Sequence, residues 1–283
     1  MHMKVFPFKI PKPLDEHLIV QVDKEPVFYN KLHQHEEIQI SYIISGNGKL
    51  LVGDSIHQFS MGDIYVIGSN MPHVFKSIPG QQDAHMLTVF FTEKSFGTSF
   101  FELPYLNDLS NFFSNAAGGF KVTSNKKQIA HQLLEIQSQQ KLNLFVSFLY
   151  LLEELSKVNI EPLSKFIYSK TLSSIEGKRL QDIFDFVFKN FHQPISLDEI
   201  AKMAYMTPNA FCRFFKQRTD KTFFQFLIEL RVAHACQLLI SNKELNVNMV
   251  AELSGFNSIS NFNKKFKKIK GITPTQYQQS ISS

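Results

Sequence analysis

Cysteine and tryptophan are the residues that this sequence uses least. Tryptophan is absent, and Cys212 and Cys236 are the only cysteines in 283 residues. Two thiols cannot build a disulfide framework, and a separation of 24 residues is not the spacing of a metal-binding motif. We therefore expect both to be small buried hydrophobic residues in a reducing compartment.

Long hydrophobic runs are also missing. The sequence opens with MHMKVFPFKIPKP, where prolines stand in place of the apolar core of a signal peptide. The longest apolar run, at about Leu142–Leu152, is too short to cross a bilayer. The sequence therefore predicts a cytoplasmic protein without a membrane segment.

Positive charge is scarce in the first part of the chain and concentrated in the last. Residues 177–283 hold 15 Lys and Arg against 8 Asp and Glu, whereas residues 1–176 hold 15 against 17. A basic C-terminal part is typical of a segment that meets a polyanion. Chance surface charge is the alternative, because the excess is modest.

Short extended runs dominate residues 33–91. β-branched and aromatic residues form Ile38–Ile44, Lys49–Val52, Ile64–Ile67 and Met86–Phe91, and Gly-, Asn- and Asp-rich turns separate these runs. Many short strands without intervening helices predict a small barrel or jelly roll.

A helical period begins at Lys126 and breaks near Gln139–Lys141. Apolar residues recur on one face of each of two consecutive helices: Ile129, Leu133 and Ile136, then Leu144, Phe148, Leu151, Leu152 and Leu155. This pattern predicts an antiparallel hairpin, which packs on the barrel or pairs with a second subunit. Because its apolar positions exceed the need of one thin contact, we expect a homodimer.

The small polar segment around Ser173–Gly177 marks the expected boundary between the two halves. We expect a barrel over 1–125, the hairpin and a linker over 126–175, and a helical domain over 176–283. The fold class predicted is therefore α+β with two domains.

Residues 247–279 predict three short helices. Asn246, Ser258 and Thr273 can cap their starts, and Gly255 and Gly271 can end the first two. The middle helix has an apolar stripe at Phe262, Phe266 and Ile269 and an outward face of Ser260, Asn261, Asn263, Lys264, Lys267 and Lys268. Amides, hydroxyls and lysines suit DNA base edges and phosphates, and a solvated surface helix is the alternative.

The same unit occurs about fifty residues earlier. Ser196 to Glu199 predicts a capping box, and Thr207-Pro208 predicts the start of the next helix. A long helix, Phe223–Ser241, capped by Thr222, joins the two units. Two helix-turn-helix units on a stiff connector predict a DNA-binding protein whose recognition helices enter successive segments of major groove.

At this point the sequence resembles the AraC/XylS family of transcriptional regulators over residues 178–279. Its most specific features are Gly255-Phe256, Phe262, Phe266-Lys267-Lys268, Gly271, Thr273-Pro274 and Tyr277. The resemblance also rests on Ile200-Ala201, Thr207, Phe214-Phe215-Lys216, Leu230-Arg231, Ala235, Leu238-Leu239 and Val250-Ala251. The sequence departs from the family pattern at Tyr205 and Asp220, where glycine is usual, and at Gln278, where arginine is usual.

The resemblance implies DNA contacts from both recognition helices. By position these are Asn209, Cys212, Arg213 and Lys216 in the first, and Ser260, Asn261, Asn263, Lys264 and Lys267 in the second. Arg213 is the candidate for a bidentate guanine contact, and Asn261 or Asn263 for adenine. Lys216 and Lys267 are expected to hold phosphates.

The front half resembles a cupin barrel, which is a sensor domain in one branch of the same family. The resemblance rests on His33-x-His35, Gly46, Gly62-Asp63 and Pro72-His73. Metal-binding cupins add a glutamate where this sequence has Gln39, a weaker ligand. Three interpretations stay open: an organic effector pocket with His33, His35, Gln39 and His73 as polar groups, structural histidines, or a metal centre.

The predicted function is a DNA-binding transcription regulator that responds to a small-molecule effector, with a sugar as one candidate. It is not expected to be an enzyme or to hold a cofactor, and DNA is its expected macromolecular partner. The alternatives are a metal-dependent cupin enzyme with a DNA-binding tail and a non-specific DNA-architectural protein, whose affinity salt would govern.

Overall fold

The computed structural model describes residues 17–77, 83–164, 174–242 and 244–282. The chain forms two compact units, Met1–Gly177 and Lys178–Ser283, called unit 1 and unit 2 below. The lead-in at residues 1–16 and most of the expected linker, 165–173, lie outside the described residues.

Unit 1 is built on two antiparallel sheets. Its described strands are β1 (Leu18–Glu25), β2 (Ile38–Ser45), β3 (Gly48–Val52), β4 (Ser55–Phe59), β5 (Ile64–Ile67), β6 (His73–Ser77), β7 (Ala84–Phe91), β8 (Phe120–Val122) and β9 (Ile160–Pro162). The larger sheet has the order β1-β7-β2-β5-β8-β9, and the smaller has the order β4-β3-β6. Both sheets contribute to one buried cluster, which includes Leu50, Phe59 and Phe75 from the smaller sheet and Ile43 and Met86 from the larger.

The other face of the larger sheet is covered by helices. These are α1 (Ser110–Ala116), α2 (Lys126–Ile136) and α3 (Lys141–Lys157), preceded by two short 3-10 turns. Ile38, Ile40 and Val89 of the sheet share a second buried cluster with Leu133 and Phe148 of the helices. Apolar residues therefore cover the sheet on both faces, which is the main source of stability in unit 1.

This packing corrects the sequence-based argument for dimerisation. Of the apolar positions of the predicted hairpin, all except the half-buried Leu144 are buried in the core of unit 1. A different stripe on α3 is exposed: Leu142, Val146 and Tyr150 recur at four-residue intervals and are 70%, 41% and 61% accessible. Any dimer contact by α3 must use that stripe.

Several elements of unit 1 are not predicted from the sequence, among them strand β4. Helix α1 and strand β8 lie in residues 92–125, where no period was recognised. Strand β9 lies within the segment assigned to the linker and pairs with β8, for example Val122 with Ile160. A three-residue strand is too short to show a two-residue period, so only its pairing partner reveals it.

Unit 2 is helical throughout its described elements. They are α4 (Ser174–Asn190), which begins in unit 1, α5 (Leu197–Met203), α6 (Pro208–Thr219), α7 (Phe223–Ser241), α8 (Val247–Leu253), α9 (Ile259–Lys270) and α10 (Pro274–Ser282). The predicted fold class, a β-rich cupin-like part with a helical hairpin followed by two helix-turn-helix units, is confirmed.

Side-chain caps fix the starts of these helices. Asn246 Oδ1 accepts from the amide of Met249 at 2.9 Å, and Ser258 caps α9 in the same way. Two details of the prediction were wrong. Ser196 accepts from the amide of Glu199, but only this forward half of the expected capping box forms, and Ile269 is 39% accessible rather than part of the inward stripe.

Helix α7 is the one described helix that is long and apolar enough, by length and composition, to cross a membrane. Half of its apolar window is buried inside the structure. Val232, Ala235 and Leu239 pack in the core of unit 2 with Val250 and Phe262. Helix α7 is thus a core helix of unit 2.

A buried carboxylate joins the barrel to the hairpin. Asp63, in the turn before β5, accepts hydrogen bonds from the ammonium groups of Lys121 in β8 and Lys126 in α2, each at 2.7 Å. Burial alone would raise the pKa of Asp63, but the two lysines outweigh it and the net effect lowers the pKa. A lowered pKa in the folded state stabilises unit 1 at neutral pH, and this contribution is lost as the pH falls through the folded value.

Replacing Asp63 with asparagine should destabilise unit 1 by roughly 1.5–3 kcal/mol, since two ammonium groups lose a charged acceptor. The measurement is urea unfolding at neutral pH. Asp108→Asn, at an exposed carboxylate, is the matched control and should change little. Equal effects of the two substitutions would contradict the role assigned to Asp63.

Candidate nucleic-acid interface and ligand cavity

The two helix-turn-helix units of unit 2 present recognition helices of the same design. In α6, Phe211, Phe214 and Phe215 are buried, and the predicted contact residues Asn209, Cys212, Arg213 and Lys216 are all exposed. In α9, Phe262 and Phe266 are buried, and Ser260, Asn261, Asn263, Lys264 and Lys267 are all exposed. The structure therefore places all nine predicted residues on accessible faces, where contact with DNA remains a prediction. The expectation that both cysteines are buried is correct for Cys236 and wrong for Cys212.

The departures from the family pattern have structural consequences. Asp220 ends α6 in the left-handed conformation with φ of 53°, as expected for an aspartate in place of glycine. Tyr205, in the turn between α5 and α6, also has a positive φ, 56°, and its side chain is 86% accessible. A bulky residue in this conformation stores strain of about 1–3 kcal/mol.

A compact junction connects the two helix-turn-helix units. The Arg231 guanidinium, on α7, donates from Nε to the Phe191 carbonyl at 2.7 Å and from Nη2 to the Gln193 carbonyl at 2.8 Å. Gly255, in the turn between α8 and α9, has φ of 83° and sits directly against this contact. A Cβ at Gly255 would lie 2.7 Å from the Phe191 carbonyl oxygen and 2.9 Å from Arg231 Nε. The junction therefore sets how the second helix-turn-helix unit is held relative to the first within unit 2.

In unit 1, the three predicted histidines converge. The backbones of His33 and His73 exchange two hydrogen bonds, and His35 lies just before β2. The ring centroids of His33 and His73 are 4.3 Å apart, and those of His35 and His73 are 5.1 Å apart. Gln39, on β2, joins them: its Oε1 lies 3.1 Å from His35 Nε2 and 3.0 Å from His73 Nε2. All four predicted residues thus form one cluster.

Hydrogen bonds define the protonation of this cluster. Each histidine Nδ1 faces a backbone carbonyl, at 2.9 Å for His33, 2.9 Å for His35 and 2.8 Å for His73. A carbonyl only accepts, so each Nδ1 carries a proton. Burial is the main factor that lowers the pKa of all three, to about 4 for His33, so the rings are neutral at pH 7. Their Nε2 atoms therefore present lone pairs.

The orientation of the Gln39 amide matters because it faces those lone pairs. In the structure the Gln39 side-chain oxygen faces two nitrogen acceptors, and the side-chain nitrogen lies 2.7 Å from Ser41 Oγ. Rotating the carboxamide by 180° lets its NH₂ donate to His35 and His73 while Ser41 donates to its oxygen. Ser41 in turn lies 3.1 Å from Thr88 Oγ1. Without a cation, this rotated arrangement is the favourable one.

The same residues fit a first-row metal ion. The three histidine ligand atoms lie within 4.8 Å of one another, and a carbonyl on Nδ1 is the usual support of a metal-bound imidazole. Bonds of about 2.1 Å allow at most about 4.2 Å between two ligand atoms, so the rings would draw together slightly. Gln39 Oε1, as placed, would be the fourth donor. The orientation of Gln39 thus distinguishes a metal-bound from a metal-free cluster.

A cavity of about 510 Å³ opens beside the histidines. Its described lining includes His33, Gln39 and His73, apolar side chains from both sheets, and polar residues of β1. The histidines are recognisable in the sequence but this lining is not, since Phe28, Phe75 and Met86 have the pattern of ordinary core residues. A cavity of this size, mostly apolar with a few convergent polar groups, suits a small organic ligand.

Comparison with known proteins matches both parts of the chain. Residues 200–280 match the family described as a helix-turn-helix domain, and residues 20–90 match the cupin domain family. An uncharacterized HTH-type transcriptional regulator, YdeC of Bacillus subtilis, is 24% identical over 255 residues, which cover 89% of this chain and 87% of that protein. The HTH-type transcriptional activator RhaR of Mannheimia succiniciproducens is 25% identical, with 87% and 86% covered.

A solved structure, that of ToxT from Vibrio cholerae, covers 94% of this chain and 99% of its own with 14% identity and a TM-score of 0.38. A TM-score of this size does not by itself establish a common fold. The expected combination of a cupin-like front part with helix-turn-helix units at the end is confirmed by the two family matches.

Gly255→Ala tests the junction. The new Cβ meets backbone at 2.7 Å and also requires a positive φ, so the free energy of unfolding should fall by more than the roughly 1 kcal/mol expected from φ alone. Gly271→Ala is the control, because Gly271 has φ of 78° and nothing within 4 Å of its Cβ position. Urea unfolding of the full chain measures both. Equal losses would show that the junction is not crowded.

Proposed function

We propose that this chain, a DNA-binding transcription regulator of the AraC/XylS family, contacts two successive segments of major groove with α6 and α9 and responds to a small organic molecule in the cavity of unit 1. The observation that carries the first part is the repeated unit. Two recognition helices with buried phenylalanines and exposed amide and basic side chains lie in one compact unit. Both enter one side of a duplex if they lie about 34 Å apart.

Each recognition helix combines base-reading and phosphate-holding residues. Arg213 has the planar fork that pairs with guanine, and Asn261 and Asn263 have the amides that pair with adenine. Lys216 and Lys267 follow toward the C-terminal end of each helix, where they are suited to phosphates. Asn209, Cys212, Ser260 and Lys264 complete the proposed contact face.

The effector site carries no catalytic assignment. The neutral histidine Nε2 atoms and the Gln39 amide suit hydrogen bonds to an organic ligand, and the relatives named above are regulators. The protein is proposed to act in the cytoplasm, where its DNA target lies. A sugar is one candidate effector, because hydroxyl groups can bond to such polar side chains.

Packing and hydrogen bonds that connect the cavity to Leu163 and Ser164, in the segment after β9, support a ligand response. Leu163 packs in the same cluster as Phe28, Phe75 and Met86, all of which line the cavity. Ser164 donates to Asp54 Oδ1 at 2.5 Å, and a His57 ring nitrogen lies 2.8 Å from the Leu163 carbonyl. A ligand that displaces these cavity side chains therefore shifts the segment that follows β9. A ligand that favours one arrangement shifts the population toward it.

A second copy of the chain is the proposed partner of the α3 stripe. Leu142, Val146 and Tyr150 expose a continuous apolar strip, and a cavity of about 400 Å³ lies beside it between α3 and Tyr105. Exposed apolar surface of this kind is typical of an interface. The proposed dimer contact therefore uses these exposed residues and not the buried apolar positions of the hairpin.

A metal-dependent cupin enzyme is the second candidate, favoured by the convergence of three histidine lone pairs beside Gln39 Oε1. It requires bound iron, manganese or another first-row ion in the purified protein, together with turnover. Elemental analysis decides between the candidates. Stoichiometric metal with turnover would replace the effector assignment.

Selection of bound sites from random DNA tests the regulator. We expect a motif with two half-sites about one helical turn apart for α6 and α9. Recovery of no motif would point to non-specific architectural binding and contradict the proposal.

Arg213→Ala should cost about 1–3 kcal/mol of DNA-binding free energy and relax the preference at one base position. Lys216→Ala should instead weaken the affinity for all DNA sequences alike and reduce the salt dependence of binding.

Sedimentation of the full chain tests the dimer. Leu142→Glu combined with Tyr150→Glu places two carboxylates in the apolar stripe and should give a monomer. Leu134→Glu, at a residue on α2 that is 44% accessible and outside the stripe, is the control and should remain dimeric. A dimer that survives the double substitution would exclude this face.

A further inference from the structure

The cavity of unit 1 has one wall whose chemistry is set by strand register. Gln21, Asp23 and Glu25 alternate along β1, so their side chains share one face. Asp23 lies opposite Met86 and Glu25 opposite Ala84 in the pairing of β1 with β7. Met86 and Ala84 belong to the buried cluster between the sheets. The two carboxylates therefore face the cavity, and both line it.

The charge of this cavity has one sign. Its described lining contains Asp23 and Glu25 but neither lysine nor arginine. Lys24, between them, is exposed on the opposite face of β1. A carboxylate or phosphate ligand would meet repulsion from these two carboxylates, with no lysine or arginine in the described lining to balance it.

The carboxylates are positioned to act together. Alternate residues of a strand lie about 6.8 Å apart at Cα, so two carboxylate side chains there can approach one small cation. Gln21 Nε2 donates to Asp23 Oδ1 at 2.7 Å, which orients the carboxylate. Glu25 is more exposed and lies toward the rim. Glu25 can therefore attract a cation at the entrance, and the oriented carboxylate of Asp23 lies further in.

Aromatic side chains supply the remaining recognition surface. Phe28, Tyr29, Phe75 and Phe90 line the cavity, and Phe28 packs edge-on against Phe75 with centroids 6.1 Å apart. Aromatic faces attract cations as well as apolar groups. An uncharged polyol would gain less from such walls, since Tyr29 is the only one of these four residues that offers a hydroxyl group for hydrogen bonding. Carboxylates and aromatic rings together match a ligand with a cationic head and an apolar body.

We propose that the cavity of unit 1 takes a small organic cation, an amine whose ammonium group pairs with Asp23 and Glu25 and whose apolar body packs on Phe28 and Phe75. This assignment rests on the proposed function, because it names the ligand class of the same effector cavity. It excludes anionic effectors and ranks an amine above an uncharged sugar.

Calorimetric titration of the full chain with three matched probes tests the assignment. The probes are 2-phenylethylamine, 2-phenylethanol and 3-phenylpropionate, which share a ring and differ in the charge of the end group. We expect the amine to bind at least tenfold more tightly than the alcohol, and the carboxylate to show no binding. Equal or tighter binding of the alcohol or the carboxylate overturns the proposal, and so does the absence of binding by the amine.

Two double variants locate the charge preference. Asp23→Asn with Glu25→Gln should reduce the affinity ratio of amine to alcohol toward one. Glu93→Gln with Glu102→Gln removes the same charge at exposed positions outside the cavity lining and should leave the ratio unchanged. An unchanged ratio in the first variant overturns the proposal. If the protein selects a DNA motif but lacks the amine preference, only this ligand assignment is contradicted. If it selects no motif, the proposed function as a regulator is contradicted.

Discussion

The larger sheet of unit 1 must be covered on both faces, and most of the structure follows from how this is done. One face is sealed by α1, α2 and α3 through clusters of phenylalanine and aliphatic residues. The other face meets the smaller sheet, but polar residues interrupt that contact at Gln39, Ser41 and Thr88. These buried polar groups bond to one another, because an unsatisfied polar group in the interior is costly. The cavity lies where the polar row meets the aromatic lining.

Unit 2 faces a different constraint, which is to hold two recognition helices in one arrangement. Each helix-turn-helix unit has its own buried phenylalanines, so either could orient its recognition helix locally. Two contacts hold the helix-turn-helix units together within unit 2. Arg231 bonds to the carbonyls of Phe191 and Gln193, and Gly255 packs closely against the same place. A stiff α7 alone would set their separation but not their relative rotation. The junction supplies that second constraint.

In the proposed effector cavity, electrostatics and packing would contribute to ligand recognition in different ways. Neutral histidines, the Gln39 amide and a serine would provide hydrogen bonds without net charge, whereas Asp23 and Glu25 give the cavity lining negative charge. Leu163, in the segment after β9, packs in the same buried cluster as Phe28, Phe75 and Met86. A ligand that moves these side chains would therefore also act on that segment.

The sequence by itself determined the periodic and punctuated elements. Helix caps at Asn246, Thr207 and Thr222, the buried faces of α3 and α6, and the repeated helix-turn-helix unit follow from local spacing, because capping and helical period act over a few residues. Short or unpatterned elements such as β8, β9 and α1 could not be found in this way, since pairing or packing with distant residues stabilises them.

Only the tertiary structure decided which faces are inside. The alternation of Gln39 and Ser41 with isoleucine looks like a half-solvated strand, yet both polar residues are buried because a second sheet lies over them. The apolar hairpin looked like an interface, yet the larger sheet covers it. The local period of a sequence indicates that the two faces of a helix or strand differ. It does not indicate what covers each face, because that depends on residues far along the chain.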